Sequence, residues 1–451
     1  MTVTRQASKS SPSREWTRSE KLLVGVVPFV LLLLFAIFEA WSSIDGDPVF
    51  HIPPRAVPSP NAYVYYRNAA FSVAYTWPMP GTWKPSSGRP ATLDDLNDPS
   101  TMAAAVALVK TNAPAIAIAA QGMAYPNVAP PIRSWQQMFP IFRFNHLAAA
   151  VALDGEVAAR EGNIRECVRV GVIGLHAFGG VQGVTTWEAK QMINGEDQVR
   201  SMLWRHVDSF NSAQSRQIAA TAEAAADNAA PAWASLGEEK YFQEAVIAET
   251  FRKPNWRFQM MPYIYSLKSA NDDIGQDWQI ATISKRRIVA NFDSRIDTLI
   301  ADAHHGVDIP AEPPSTDSIT NGLIGDDEDL SSRCAVDVAE DRLLACYCAE
   351  RAYCLDHHAD PSSLSQLVPA YLPSVPADPF DGGRPLRYRI VDGRPVIYSI
   401  GPDRRDDGGK PVSEAQPRPA ATYTLQVPQN LKEATGDIVA GKNNDLIDLW
   451  F

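Results

Sequence analysis

Leu22 to Trp41 reads LLVGVVPFVLLLLFAIFEAW and carries no charge before Glu39. A helix of about twenty such residues crosses roughly 30 Å of hydrocarbon. A core helix of that length needs a polar face to show to solvent, and Val26 to Phe38 offers none. Pro28 stands near the start, where a helix tolerates it best. Arg5, Lys9, Arg14, Arg18 and Lys21 precede the stretch, whereas Asp45 and Asp47 follow it and the next Lys or Arg is Arg55. The positive-inside rule therefore predicts a cytoplasmic tail over 1–21, a transmembrane helix over 22–41, and export of everything beyond Trp41. The rival reading is a cleaved signal peptide ending near Ala40-Trp41-Ser42; the long basic region and long apolar run favour a permanent anchor.

Outward from this segment the composition is that of a soluble protein. The chain has 451 residues, 45% hydrophobic and 21% charged, which excludes wholesale disorder and a polytopic membrane bundle. Lys+Arg 41 against Asp+Glu 52 leaves a net charge of -11, and a nucleic-acid groove needs clustered positive charge, so nucleic acid is excluded as a partner class. Residues 42–100 are crowded with prolines from Pro48 to Pro99 and read as an extended tether. Asn61 is placed to cap one short helix there, through Tyr65 to Val73, with Tyr63, Tyr66 and Ala70 on one side.

Residues 101–305 follow a helical pattern throughout. Helices are predicted over 144–160 and 164–178, joined by Glu161-Gly162-Asn163; in the second, Ile164, Val168, Val172 and Leu175 share a face. So short a connection makes the pair antiparallel, a hairpin of tetratricopeptide-like size but without a fixed repeat period. Further helices are predicted over 186–210, 213–228, 238–252 and 280–304. Ala103 to Ala120 is apolar as well, but Lys110, Asn112 and Pro114 argue against a second span.

A seam follows at 306–332, where Pro310, Pro313, Pro314 and the run Asp326-Asp327-Glu328-Asp329 read as an exposed linker. Within 333–451 a helix is predicted over 336–355. Two alternating runs, Leu386 to Ile390 and Val396 to Ile400, flank Asp392-Gly393 and read as a hairpin. The expected fold class is one N-terminal transmembrane helix, a mainly α middle domain of helical hairpins, and a small α+β C-terminal domain with an antiparallel sheet.

Asp378-Pro379-Phe380-Asp381-Gly382, Pro385-Leu386-Arg387-Tyr388 and Tyr398-Ser399-Ile400-Gly401-Pro402-Asp403, closing on Asp406-Asp407-Gly408-Gly409, resemble the C-terminal part of the major pseudopilin of type II secretion systems. The same block ends membrane-anchored envelope proteins of planctomycete-like bacteria, which also share the Asn61-Ala62-Tyr63 motif after a single span and have no established activity. The resemblance covers about eighty C-terminal residues and implies an exoplasmic α+β module. Pseudopilins bind calcium in the loop after their last long strand, and the matching positions are Asp403, Asp406 and Asp407. Calcium takes six to eight hard oxygens, so later acids at Asp437, Asp445 or Asp448 would have to complete the shell. The insertion over 410–433 and the neighbouring Arg404 and Arg405 oppose it, and the competing reading is an Asx-rich turn. Some three hundred residues separate the span from this block, and no pilin-like processing site precedes Leu22, so assembly into a pilus is not implied.

Five cysteines, Cys167, Cys334, Cys346, Cys348 and Cys354, leave one disulfide or none as equally open readings. There is no Gly-x-Ser-x-Gly, His-Glu-x-x-His, Walker loop, Gly-x-Gly-x-x-Gly or Cys-x-x-Cys. His304-His305 and His357-His358 are adjacent and point apart on a helix, while His146, His176 and His206 lie on separate predicted helices. Apart from calcium no cofactor is implied. The expected function is a single-pass protein of the bacterial inner membrane with an exoplasmic, periplasmic scaffold or binding role. Its expected partners are the membrane and envelope or secretion-system proteins. The alternative is a periplasmic hydrolase whose site is assembled from residues distant in sequence. A polar pocket with convergent buried acids or histidines favours the hydrolase; an apolar, aromatic helical groove favours a binding protein; a dry tunnel favours a lipid carrier.

Overall fold

The computed structural model describes residues 17–44, 46–74, 96–265, 283–305, 318–324, 330–391, 393–411 and 435–441. The acidic run at 326–329, most of the insertion over 410–433, and Asp445 and Asp448 lie outside them. Helix α1 is Arg18–Ile44, longer at both ends than the predicted span, with Pro28 inside it. Its large side chains from Val24 to Ile37 are uncovered, from 45% exposed at Val27 and Val30 to 75% at Phe29.

Helix α2, Ala62–Ser72, starts where Asn61 accepts a hydrogen bond from Tyr63 N at 3.1 Å. The same Asn61 side chain donates to Val128 O at 2.7 Å and accepts from Val128 N at 3.2 Å, which ties the start of α2 to a distant loop. Tyr63 Oη donates to Glu188 Oε1. Helix α3, Pro99–Gly122, is the helix among the described residues that is long and apolar enough to cross a membrane by length and composition alone. Ala105, Leu108, Ala115, Ile116 and Ala119 are buried on one face, but only 28% of its apolar 18-residue window is covered by the rest of the protein. Asn112 on the same face accepts from Ala74 N at 2.8 Å. Pro114 sits inside the helix without ending it.

Helices α4 (Phe142–Arg160) and α5 (Ile164–Phe178) form the predicted hairpin. Gly162 adopts φ +78, the left-handed conformation that glycine reaches without a Cβ penalty. There Asn163 N reaches Ala158 O and Gly162 N reaches Ala159 O, closing the helix end. Asn163 then caps α5 through Glu166 N. Helix α6, Thr186–His206, begins with a capping box between Thr185 and Glu188. It presses so closely on α5 that a Cβ at Gly171 would stand 2.5 Å from Leu203 Cδ2, and one at Gly174 2.6 Å from Val199 Cγ2.

Helices α7 (Ser212–Asn228), α8 (Ala232–Phe251), α9 (Trp256–Tyr265), α10 (Lys285–His304) and α11 (Ser318–Ile324) continue the helical region. Helix α12, Leu330–His357, is longer than predicted and packs on α7. The predicted hairpin is β1 (Arg387–Val391) and β2 (Arg394–Ser399), antiparallel, with Tyr388 opposite Ile397. A third strand, β3 (Ile438–Val439), pairs antiparallel with β2 and gives the order β1-β2-β3. One cluster of buried side chains runs from Ala62 through the helices to Ile438, so the regions on either side of the 306–332 seam share a core.

A buried charge cluster locks α6 to α12. Arg200, 2% exposed, donates to Asp341 Oδ1 at 2.8 Å and Asp337 Oδ1 at 2.7 Å on α12, and to Asp197 within its own helix. Glu340 and Glu196 complete the ring at 3.2 and 3.8 Å. One guanidinium cannot neutralise five carboxylates in a desolvated site, so protons are retained. Burial pushes Glu340 up to about 8 and Asp341 up to about 7, against the pull of Arg200.

Candidate functional site

The segment Val49–His51, helix α8 and helix α10 enclose an open cleft of about 750 Å³. The first wall is fixed by a charge clamp: Lys285 Nζ, at the start of α10, donates to Asp47 Oδ1 at 2.6 Å and to Phe251 O at 2.8 Å. Asp47 is only three positions beyond the end of α1, so the cleft is tethered close to that apolar helix. Gly237 forms part of the α8 wall, and no atom stands within 4 Å of where its Cβ would be. Aromatic rings frame the opening: Trp233 stacks on His304 with centroids 4.4 Å apart, and Phe50 and Tyr241 also line the cleft.

Four carboxylates line the cleft, and they fall into two kinds. Glu238 pairs with Arg55 at 2.8 Å and with Arg133 at 3.6 Å. Asp297 pairs with Lys240 at 2.7 Å. Glu244, 6% exposed, makes no hydrogen bond or ion pair among the described residues. Asp293 has a buried Oδ1 with no hydrogen-bond partner. Burial, and then the negative field of Asp293, pushes Glu244 up to about 7. Burial raises Asp293 too, with Lys240 opposing it. The arrangement is a buried and a half-buried carboxyl group facing an opening bordered by rings, with Lys240 and Arg133 nearby but hydrogen-bonded to neither.

The acids that the pseudopilin resemblance singles out take part in a turn. Asp403 accepts from Arg405 N at 3.1 Å and Gly436 N at 3.3 Å. Asp406 Oδ1 accepts from Tyr398 Oη and Gly408 N, both at 3.0 Å. Asp407 donates its N–H to Asp437 Oδ1, and Asp437, fully buried, also accepts from Gly409 N at 2.6 Å. Pro411 and Asp437 form a β-bridge, with Asp437 N donating to Lys410 O at 2.8 Å. The carboxylates thus hold backbone N–H groups, as in an Asx-rich turn. Among the described residues the group with three metal-type ligand atoms within 4.8 Å of one another is Glu350, Cys354 and Asp360, not these aspartates. In that group the Cys354 thiol donates to Glu350 Oε1 at 3.0 Å.

The resemblance motifs have structural roles of their own. Asp378 is fully buried and accepts from Phe380 N at 2.9 Å, Ser399 Oγ at 2.8 Å and Ile400 N at 2.9 Å, which joins the Asp-Pro-Phe-Asp-Gly turn to the end of β2. The histidines are dispersed: His206 Nε2 lies 2.7 Å from Glu156 Oε2, His304 stacks on Trp233 and His357 packs at a tilt against Tyr353. No disulfide joins any of the five cysteines. Sequence reasoning missed the cleft because its walls come from three distant segments. The one local signal was the spacing of Glu238, Lys240, Tyr241 and Glu244 along α8, which places acids and an aromatic on adjoining faces. No family model matches the chain, and neither a curated protein nor a solved structure matches it.

Proposed function

We propose that the chain is a single-pass envelope protein that uses α1 as a bilayer anchor and displays a helical binding body on the exoplasmic side. The observation that carries this reading is the uncovered apolar surface of α1, with Phe29 75% exposed and Leu32 66% exposed. Apolar area of that extent is costly in water and free of cost in hydrocarbon. The distribution of Lys and Arg supports an exoplasmic body: five lie before the apolar run and none in the 33 positions between Lys21 and Arg55. The cleft beside the Asp47–Lys285 clamp is the binding site of this reading, and partners in the envelope or secretion machinery are its natural occupants. A reporter fused after Phe451 tests the topology: activity restricted to the cytoplasmic compartment would overturn it. Detergent co-purification of the intact chain and of Gly237→Leu, whose new side chain enters the cleft, tests the binding role; identical partner recovery counts against the cleft.

A hydrolase reading draws on Glu244, since a cleft carboxyl held at about 7 has the protonation range of a general acid. Hydrolysis that disappears in Glu244→Gln would favour it.

A further inference from the structure

We infer that the cleft between Val49–His51, α8 and α10 binds a primary ammonium group carried on an apolar stem, with Glu244 and Asp293 as its anionic partners. The inference rests on the reading of the cleft as a binding site and is independent of the membrane topology. The residues of the cleft sort themselves by charge balance. Glu238 and Asp297 already have cations, in Arg55, Arg133 and Lys240. Glu244 and Asp293 feel Lys240 only through its field, as Glu244 does Arg133, since the Lys240 ammonium donates its hydrogen bond to Asp297 at 2.7 Å and Asp293 Oδ1 is buried without a donor. A buried carboxylate without a donor is costly, so the pair either keeps a proton or receives a cation from outside.

The geometry selects the kind of cation. The cleft carboxylates do not form a set of three ligand atoms within 4.8 Å, the closeness a bare metal ion demands. An organic ammonium has three donors spread over a larger headgroup and tolerates such spacing. Its stem would lie against Tyr241 and the Trp233–His304 stack, which offer apolar ring area. At about 750 Å³ the cleft has room for a stem as well as the ammonium. The open space over Gly237 is where that stem passes.

The test uses the full chain in detergent, titrated calorimetrically with benzylamine and with benzyl alcohol, a neutral probe of the same shape. Saturable binding of benzylamine is expected, with benzyl alcohol at least about tenfold weaker because it lacks the charge. Glu244→Gln should weaken benzylamine by about tenfold and Asp293→Asn by a smaller factor, each without loss of helical circular dichroism. Gly237→Leu, whose Cβ meets no atom within 4 Å, should abolish it, and retained helical circular dichroism guards against misreading a folding defect. Equal binding of the two probes, or undiminished binding in both Glu244→Gln and Gly237→Leu, overturns the proposal. Repeating the titration in nanodiscs separates two sources of the amine. Competition by phosphatidylethanolamine but not phosphatidylcholine assigns a lipid headgroup, and equal affinity in both assigns a soluble amine. Failure of benzylamine alongside loss of a co-purified partner in Gly237→Leu removes the amine and leaves the cleft's binding role standing.

Discussion

Arg200 on α6 and Asp341 on α12 meet at 2.8 Å in a site where both are almost completely buried. The pair joins the helical hairpins to the helix that carries the sheet, and neither side chain reaches the surface. Replacing Arg200 by Met leaves Asp197, Asp337 and Asp341 buried without their cation, and the expected loss is about 3–5 kcal/mol in urea denaturation. A loss below about 1 kcal/mol would mean that the ring is solvated and contributes no lock.

The same ring makes stability depend on pH with a definite sign. In the unfolded chain the carboxyl groups release their protons near pH 4, whereas in the folded protein Asp341 holds its proton to about 7 and Glu340 to about 8. Between those limits the folded state binds more protons, so this contribution is complete below about pH 4 and is lost as pH rises through 7 to 8. Glu188 and Glu244, each raised to about 7 chiefly by burial, act in the same direction. Glu156 opposes only at the acid end: burial raises it, but His206, Arg160 and Arg205 hold it at about 2. The urea midpoint is expected to be higher at pH 5.5 than at pH 8.5, with Glu340→Gln flattening the slope; a midpoint that climbs toward alkaline pH contradicts this.

Asp378 is expected to fix the corner of the sheet. Asp378→Ala removes three acceptor contacts, those with Phe380 N, Ser399 Oγ and Ile400 N, and strands the donors. Destabilisation of about 2–4 kcal/mol and faster hydrogen exchange at Ile400 are expected. Unchanged exchange there would show that the corner is held by packing alone.

Gly171 and Gly174 set the spacing of α5 and α6. Gly174→Ala places a methyl group 2.6 Å from Val199 Cγ2 and is expected to cost about 1–3 kcal/mol, although alanine is the better helix former. A stabilised variant in thermal melts would mean that the two helices separate freely.

Calcium gives a further discriminating measurement. Asp403 and Asp406 already accept backbone or hydroxyl hydrogens and Asp437 clasps two N–H groups, so millimolar calcium is expected to leave the melting temperature unchanged. A clear upward shift that Asp406→Asn removes would reinstate a calcium loop.

Periodic features were legible in the chain, and convergent ones were not. Helix α5 spans Ile164–Phe178 as its spacing predicts, because a capping Asn and a left-handed glycine mark its boundaries within a few residues. The hairpin of β1 and β2 was equally local. Strand β3 was missed: Ile438–Val439 is too short to show alternation and lies far along the chain from β2. The Arg200 ring was hidden for a related reason. Glu196, Asp197 and Arg200 stand at helical spacing on one element and Asp337, Glu340 and Asp341 on another, and only tertiary packing brings the two faces together. The apolar stretch within Pro99–Gly122 shows the converse, since alanine suits a tight helix packing as well as a lipid environment.

The bridge between Pro411 and Asp437 closes a neck at the foot of the sheet. A fluorescent passenger spliced directly after Pro411 would start from a point that the bridge already pins beside Asp437, so its insertion should not pry β2 from β3. The neck is therefore a natural attachment point for imaging the protein or for pulling on it mechanically.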